Sequence, residues 1–144
     1  MFVGEWLKEK GGRDRLIIAS KVTGRSQMSW VRGASNKDKT KVDRKNITYA
    51  IEHSLKRLDT DYIDLYQVHW PDRPISMFGN EVEEAPLDSP YYVPIFETLE
   101  VMADLVKEGK IRYVGVSNEN LTGTQEYVRC ANELGLPHDR DWET

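Results

Sequence analysis

With one cysteine in 144 residues, Cys130, the chain cannot form an internal disulfide and has no paired thiolates to chelate a metal. That usage suits a reducing compartment. Long apolar runs are missing too: no window approaches the roughly 18 apolar residues of a membrane span. The opening MFVGEWLKEKGG lacks the basic end and apolar stretch of a secretory leader. Neither sign of charge dominates, since 20 Lys and Arg face 24 Asp and Glu for a formal net charge of -4. Neither a nucleic-acid surface nor an acidic tail is indicated. The three histidines, His53, His69 and His138, lack metal-ligand spacing. Neither G-x-G-x-x-G nor G-x-x-x-x-G-K occurs, which removes the usual signature of a nucleotide held at the first strand turn.

What is present is an alternation. Val3, Trp6 and Leu7 fall at helical spacing before Gly11 and Gly12, and LIIASKV (16–22) is short, apolar and β-branched, as a strand covered on both faces would be. A polar loop follows (23–42). Asp43 can then cap a helix whose apolar positions Ile47, Ala50, Ile51, Leu55 and Leu58 recur at three and four. YIDLYQVHW (62–70) is the second strand, a proline-rich loop spans 71–93, and Pro94 opens a helix striped by Ile95, Leu99, Met102, Leu105 and Val106 up to Gly109. IRYVGVSN (111–118) is the third strand and 122–135 the last helix, with Tyr127, Cys130, Ala131 and Leu134 inward. Such alternation predicts an α/β fold with a parallel sheet.

The loops after the first two strands are long and those before the second and third are short. In a parallel sheet all loops that follow strands leave on one side, so a site is expected at the carboxyl ends. Lys21, His69 and the pair Ser117–Asn118 stand at the ends of successive strands, with His69 on the face of Gln67, Leu65 and Ile63, and Trp70 on that of Val68 and Tyr66. Each has an ordinary reading by itself: an exposed lysine, a satisfied histidine, a Ser-Asn turn. Their convergence on one rim favours a site. Met28, Trp30 and Trp70 could line an apolar pocket or form a lid over the core. Cys130 reads as a small core residue.

LIIASKV, NITYAIEHSLKRLDTDYIDLYQVHWPD and GKIRYVGVSN, in this order and spacing, resemble the aldo-keto reductases, particularly the bacterial and plant branch with a long loop after the histidine strand. The resemblance covers roughly residues 3–137. It implies part of a (β/α)8 TIM barrel, NADPH as cofactor and a small-molecule carbonyl substrate, an aldehyde or ketone. By the same resemblance Lys21 lowers the pKa of a proton-donating tyrosine and His69 orients the carbonyl. Ser117 and Asn118 hold the nicotinamide carboxamide, and Trp70 contributes to the substrate wall.

Two departures accompany the match. None of Tyr49, Tyr62, Tyr66, Tyr91, Tyr92, Tyr113 or Tyr127 sits in the family's tyrosine motif, and LGLPHDRDWET turns charged where a sixth apolar strand is due. The resemblance therefore implies an incomplete barrel over 1–137 followed by a charged, unrelated tail over 138–144. A whole barrel needs about 250 residues. Three strands alone would leave two open edges and an inner face lined by Ile17, Ile63 and Leu65. The reductase expected from the family is thus inactive by itself. The alternatives are a non-catalytic partial barrel that associates with itself or a related chain, and a small anion-binding α/β module. A cytoplasmic location is expected, or an organelle if a targeting segment precedes this stretch.

Overall fold

The computed structural model describes residues 2–26 and 40–136. Met28, Trp30, His138 and the tail 138–144 lie outside the described residues. The elements run α1 (Phe2–Lys10), a 3-10 turn (Arg13–Arg15), β1 (Ala19–Val22), α2 (Arg44–Leu58), β2 (Ile63–Val68), α3 (Ile95–Lys107), β3 (Ile111–Val116) and α4 (Leu121–Leu134). The strands form one parallel sheet in the order β1-β2-β3. This is the partial barrel expected from the sequence, three parallel strands alternating with helices.

One face of the sheet is covered and the other open. Val22, Tyr66 and Val68 pack against Ile47 and Ile51 of α2, Leu99 and Met102 of α3, and Tyr127 and Cys130 of α4. The opposite face carries Ala19 and Lys21 on β1, Leu65 and Gln67 on β2, and Tyr113 and Gly115 on β3. Partners in register there are exposed or half-buried. Parallel pairing puts registered residues on the same side, so the two faces differ in chemistry as well as in cover.

Local signals start and stop the helices. Asp43 caps α2 by accepting from the Asn46 N–H at 2.9 Å, and Asn120 caps α4 by accepting from the Gly123 N–H at 2.8 Å. Pro94, without an N–H to leave unpaired, precedes α3. At Gly4 a side chain would collide with the Arg57 carbonyl, so α1 lies directly on α2 there.

The structure departs from the sequence reading at the amino ends of the strands. β1 is Ala19–Val22, shorter than the run 16–22, because the Ile18 N–H donates to the Asp64 carboxylate at 2.9 Å and so is withdrawn from the ladder. The N–H groups of Asp64 and Leu65 both donate to the Ile18 carbonyl, at 3.0 and 3.2 Å, a local break in alternation. Ile63, expected on the open face with Leu65, is instead fully buried in the helix-packed core. Asp64, also buried, takes Arg13 at 2.7 Å and Arg112 at 2.9 Å, and both guanidiniums stack over Tyr62. Burial raises the Asp64 carboxyl pKa, but the Ile18 N–H and the two arginines outweigh it and hold the group below the usual carboxylate value.

Candidate functional site at the carboxyl rim

Lys21 is paired in register with Gln67, and Gln67 with Gly115. The ladder continues one step beyond the strands: the His69 N–H donates to the Val22 carbonyl at 2.8 Å and the Ser117 N–H to the Val68 carbonyl at 2.9 Å. His69 and Ser117 therefore stand side by side on the open face, one side-chain step above the row of Lys21. With strands about 4.8 Å apart, the rim is about 10 Å across. Gly115 matters here because the Gln67 and Leu65 side chains lie over it, and a Cβ would press on both.

Asn118 completes the row. Its backbone is left-handed, φ 52°, a region asparagine enters more readily than most residues. Its side-chain amide donates to the His69 carbonyl at 2.7 Å and to Ser117 Oγ at 3.0 Å. The Asn118 amide thus ties the ends of β2 and β3 together, and its carbonyl Oδ1 is left as the acceptor it can offer a ligand.

His69 is half-buried. Burial lowers its pKa below the ordinary 6.5, and the positive charge of Lys21 pushes the same way. The imidazole is therefore neutral at pH 7, with one N–H to donate.

Trp70 faces away from His69 along the strand, yet the two rings touch, with centroids 4.4 Å apart. The indole is buried, and its Nε1 donates to the Arg25 carbonyl at 3.3 Å. Behind it a cleft of about 550 Å³ is walled by Ile75, Met77, Phe78 and Val82 from the long second loop. The start of the first loop, at Gly24 and Arg25, is pinned against the second. Gly24 donates its N–H to the Trp70 carbonyl at 3.1 Å, where any side chain would collide with the Trp70 and Pro71 carbonyls. Arg25 Nη2 reaches the buried Asp72 carboxylate at 3.2 Å.

Other reactive groups lie elsewhere. Cys130 is fully buried, and burial followed by the neighbouring Glu126 pushes its thiol up to about 11. Burial, then the charge of Glu119, also raises the Tyr127 hydroxyl well above the ordinary tyrosine value, which suits a core residue and not a proton donor. His53 stacks on Tyr49 on the exposed side of α2, centroids 4.1 Å apart. Among the described residues no group of three or more His, Cys, Asp or Glu side chains could hold a metal ion, and no helix is long and apolar enough to cross a membrane.

A buried ion pair beside the rim escaped the sequence reading. Arg73 and Glu119 form a two-pronged contact at 3.0 and 2.6 Å, their side chains 6% and 2% exposed. The partners are 46 residues apart in two different loops, and no spacing rule links such positions. The only hint in the sequence is a charge within three residues of each candidate segment, Arg73 in HWPDR and Glu119 in SNE.

Residues 1–137 match the family model for the Aldo/keto reductase family. The chain is 46% identical over 141 residues to Protein tas of Escherichia coli, an alignment covering 94% of this chain and 38% of that protein. It superposes on an aldo-keto reductase from Bacillus halodurans in its holo form with a TM-score of 0.63 at 34% identity, covering 91% of this chain and 36% of the other. An aldo/keto reductase from Klebsiella pneumoniae in complex with NADP and acetate gives 0.57 at 32% identity, covering 88% and 32%. The chain thus spans between about three and four tenths of the length of these relatives.

Proposed function

The chain belongs to the aldo/keto reductase family, and on that premise we propose that its carboxyl rim is the carbonyl- and nicotinamide-facing part of a pocket for NADPH-dependent reduction of aldehydes and ketones. The observation that carries this reading is the gathering of Lys21, His69, Ser117 and Asn118 at the carboxyl ends of three neighbouring strands, with His69 and Ser117 one side-chain step above Lys21. A solved relative with NADP bound supports the cofactor.

The residues present fit the amide end of that cofactor. Ser117 Oγ and Asn118 Oδ1 sit at the end of β3, with the Asn118 amide protons already engaged. They can accept from a carboxamide NH2, and the Ser117 hydroxyl can donate to its carbonyl. When bound, NADPH supplies the hydride that goes to the carbonyl carbon. His69, kept neutral by burial and by Lys21, donates its N–H to the carbonyl oxygen and fixes its direction. Lys21 provides the positive charge that would lower the pKa of a neighbouring phenol. The ring of Trp70 touches the imidazole on one side and bounds the apolar cleft on the other.

The proton donor for the carbonyl oxygen is proposed to lie outside this chain's tyrosines, none of which stands in the family's tyrosine motif. Tyr66 and Tyr127 are buried in the helix-side core, and Tyr113, half exposed on the open face, is registered one step below Lys21's row and two strands away. The chain by itself is therefore proposed to bind without turning over. The test is NMR of the labelled chain. NADPH should shift Ser117 and Asn118, and the same nucleotide lacking the nicotinamide ring should not. Added 4-nitrobenzaldehyde should leave NADPH absorbance constant. Equal response to both nucleotides, or none, would sink the site assignment, and a steady rate lost in His69→Ala would overturn the claim of no turnover.

A second reading has its own observation. Ile17 is 85% and Tyr113 51% exposed, and β1 and β3 each leave an edge unpaired among the described residues. Such edges favour association with another copy or a related chain. A cytoplasmic location accords with the lone cysteine.

A further inference from the structure

We infer that the Arg73–Glu119 pair is a positioning device for Ser117 and Asn118: it clamps the turn after β3 onto the segment after β2 and so sets the direction in which the hydroxyl and amide face the rim. This rests on the reading of that rim as the nicotinamide-amide site.

The clamp joins two short segments at several points. From residues 69–73, the His69 carbonyl accepts from Asn118 and the Arg73 fork grips both Glu119 oxygens. One prong also reaches Asn120 Oδ1 at 3.3 Å. From residues 117–120, Glu119 Oε1 accepts the Asn120 N–H at 2.8 Å, and Asn120 starts α4 as its cap. The chain thus reverses from β3 into α4 within four residues, with Asn118 held left-handed at the pivot. A conformation of that kind persists where its neighbours determine it. Here the neighbours on either side of the pivot are the strand ladder and the ion pair.

Space for the pair has been left in the helix itself. A Cβ at Gly123 would overlap Glu119 Oε1 and Arg73 Nη2, so a side chain there would displace the pair. Stability alone does not account for such an arrangement. Replacing a buried ion pair with apolar side chains of similar volume is often neutral or stabilising, whereas a planar fork on a carboxylate fixes orientation in a way an apolar contact does not.

The experiment exploits that difference. In the full chain, the paired substitution Arg73→Met with Glu119→Leu is compared with Arg73→Lys, Gly123→Ala and the parent. Three properties are followed: urea stability, the Asn118 side-chain amide resonances without ligand, and NADPH affinity by cofactor fluorescence. The paired variant is expected to match the parent in urea, while its Asn118 amide signals move toward the solvent-exposed position and lose protection from exchange. NADPH affinity is expected to fall about tenfold, or about 1.4 kcal/mol, through the misdirected Ser117 and Asn118. Arg73→Lys and Gly123→Ala should move the same resonances, so a paired variant that fails to fold leaves the inference testable. Unchanged Asn118 signals in the folded variants would overturn it. Failure of the parent to bind NADPH would remove the cofactor reading, while the ligand-free resonances still decide whether the pair positions Asn118.

Discussion

At the scale of the residue, the charge state of His69 is the property on which the rim depends. Burial first, and then Lys21, lower its pKa. In the unfolded chain the imidazole returns to about 6.5, so between the two values the unfolded state binds more protons. Stability therefore rises with pH through that window, levels off above 6.5, and declines as the pH falls toward the folded value. Proton NMR of the His69 ring should give a midpoint below 6.5. Lys21→Met should move it upward part of the way, because burial remains. A midpoint unmoved by that substitution would show that the two groups are not neighbours on the rim. That Lys21, His69 and Ser117 share a rim was legible in the sequence, because strand ends and period-two alternation depend on local pattern. The Arg73–Glu119 and Arg25–Asp72 pairs were not: each couples loops far apart in the chain, and only the fold brings them together.

At the scale of the element, most of what was legible came from helix starts and stripes. Asp43 was readable as a cap because an acceptor ahead of an amphipathic run can satisfy an orphan N–H, and the structure has that bond to Asn46. Asp43→Ala is expected to cost about 1 kcal/mol, measured by urea unfolding. A change of a few tenths would mean that water satisfies the end of α2 equally well. The amino ends of the strands were less legible. Ile63 follows the alternation in sequence, yet the Ile18 carbonyl takes two consecutive N–H groups and Asp64 claims the Ile18 N–H, so the ladder and the side-chain period part company there. A buried carboxylate that competes with backbone partners is a tertiary event, invisible to periodicity. The two arginines that compensate it stand far from Asp64 in the chain, Arg112 48 residues after it and Arg13 well before it, and only the folded sheet brings the three together.

At the scale of the molecule, the covered and open faces of the sheet oppose each other energetically. The helix-side core contains fully buried Ile47, Ile51, Leu99 and Met102, each worth about 1.5–3 kcal/mol on burial. The open face gives up that gain for Leu65 and Tyr113, and among the described residues no strand pairs with the outer edge of β1, next to Ile17. Any contact that covers this face recovers apolar burial and ladder hydrogen bonds together, so the chain is expected to show a mass that grows with concentration in sedimentation velocity. Ile17→Lys tests the source of that growth. The side chain is 85% exposed, so the substitution removes little internal packing, while a lysine at an edge opposes strand addition. The variant should unfold at the same urea concentration as the parent and sediment closer to a single chain. If the parent already sediments as a single chain at high concentration, the open face is tolerated in water and the associating reading fails. If the variant associates as strongly as the parent, the contact lies away from β1, and the edge of β3 becomes the place to look.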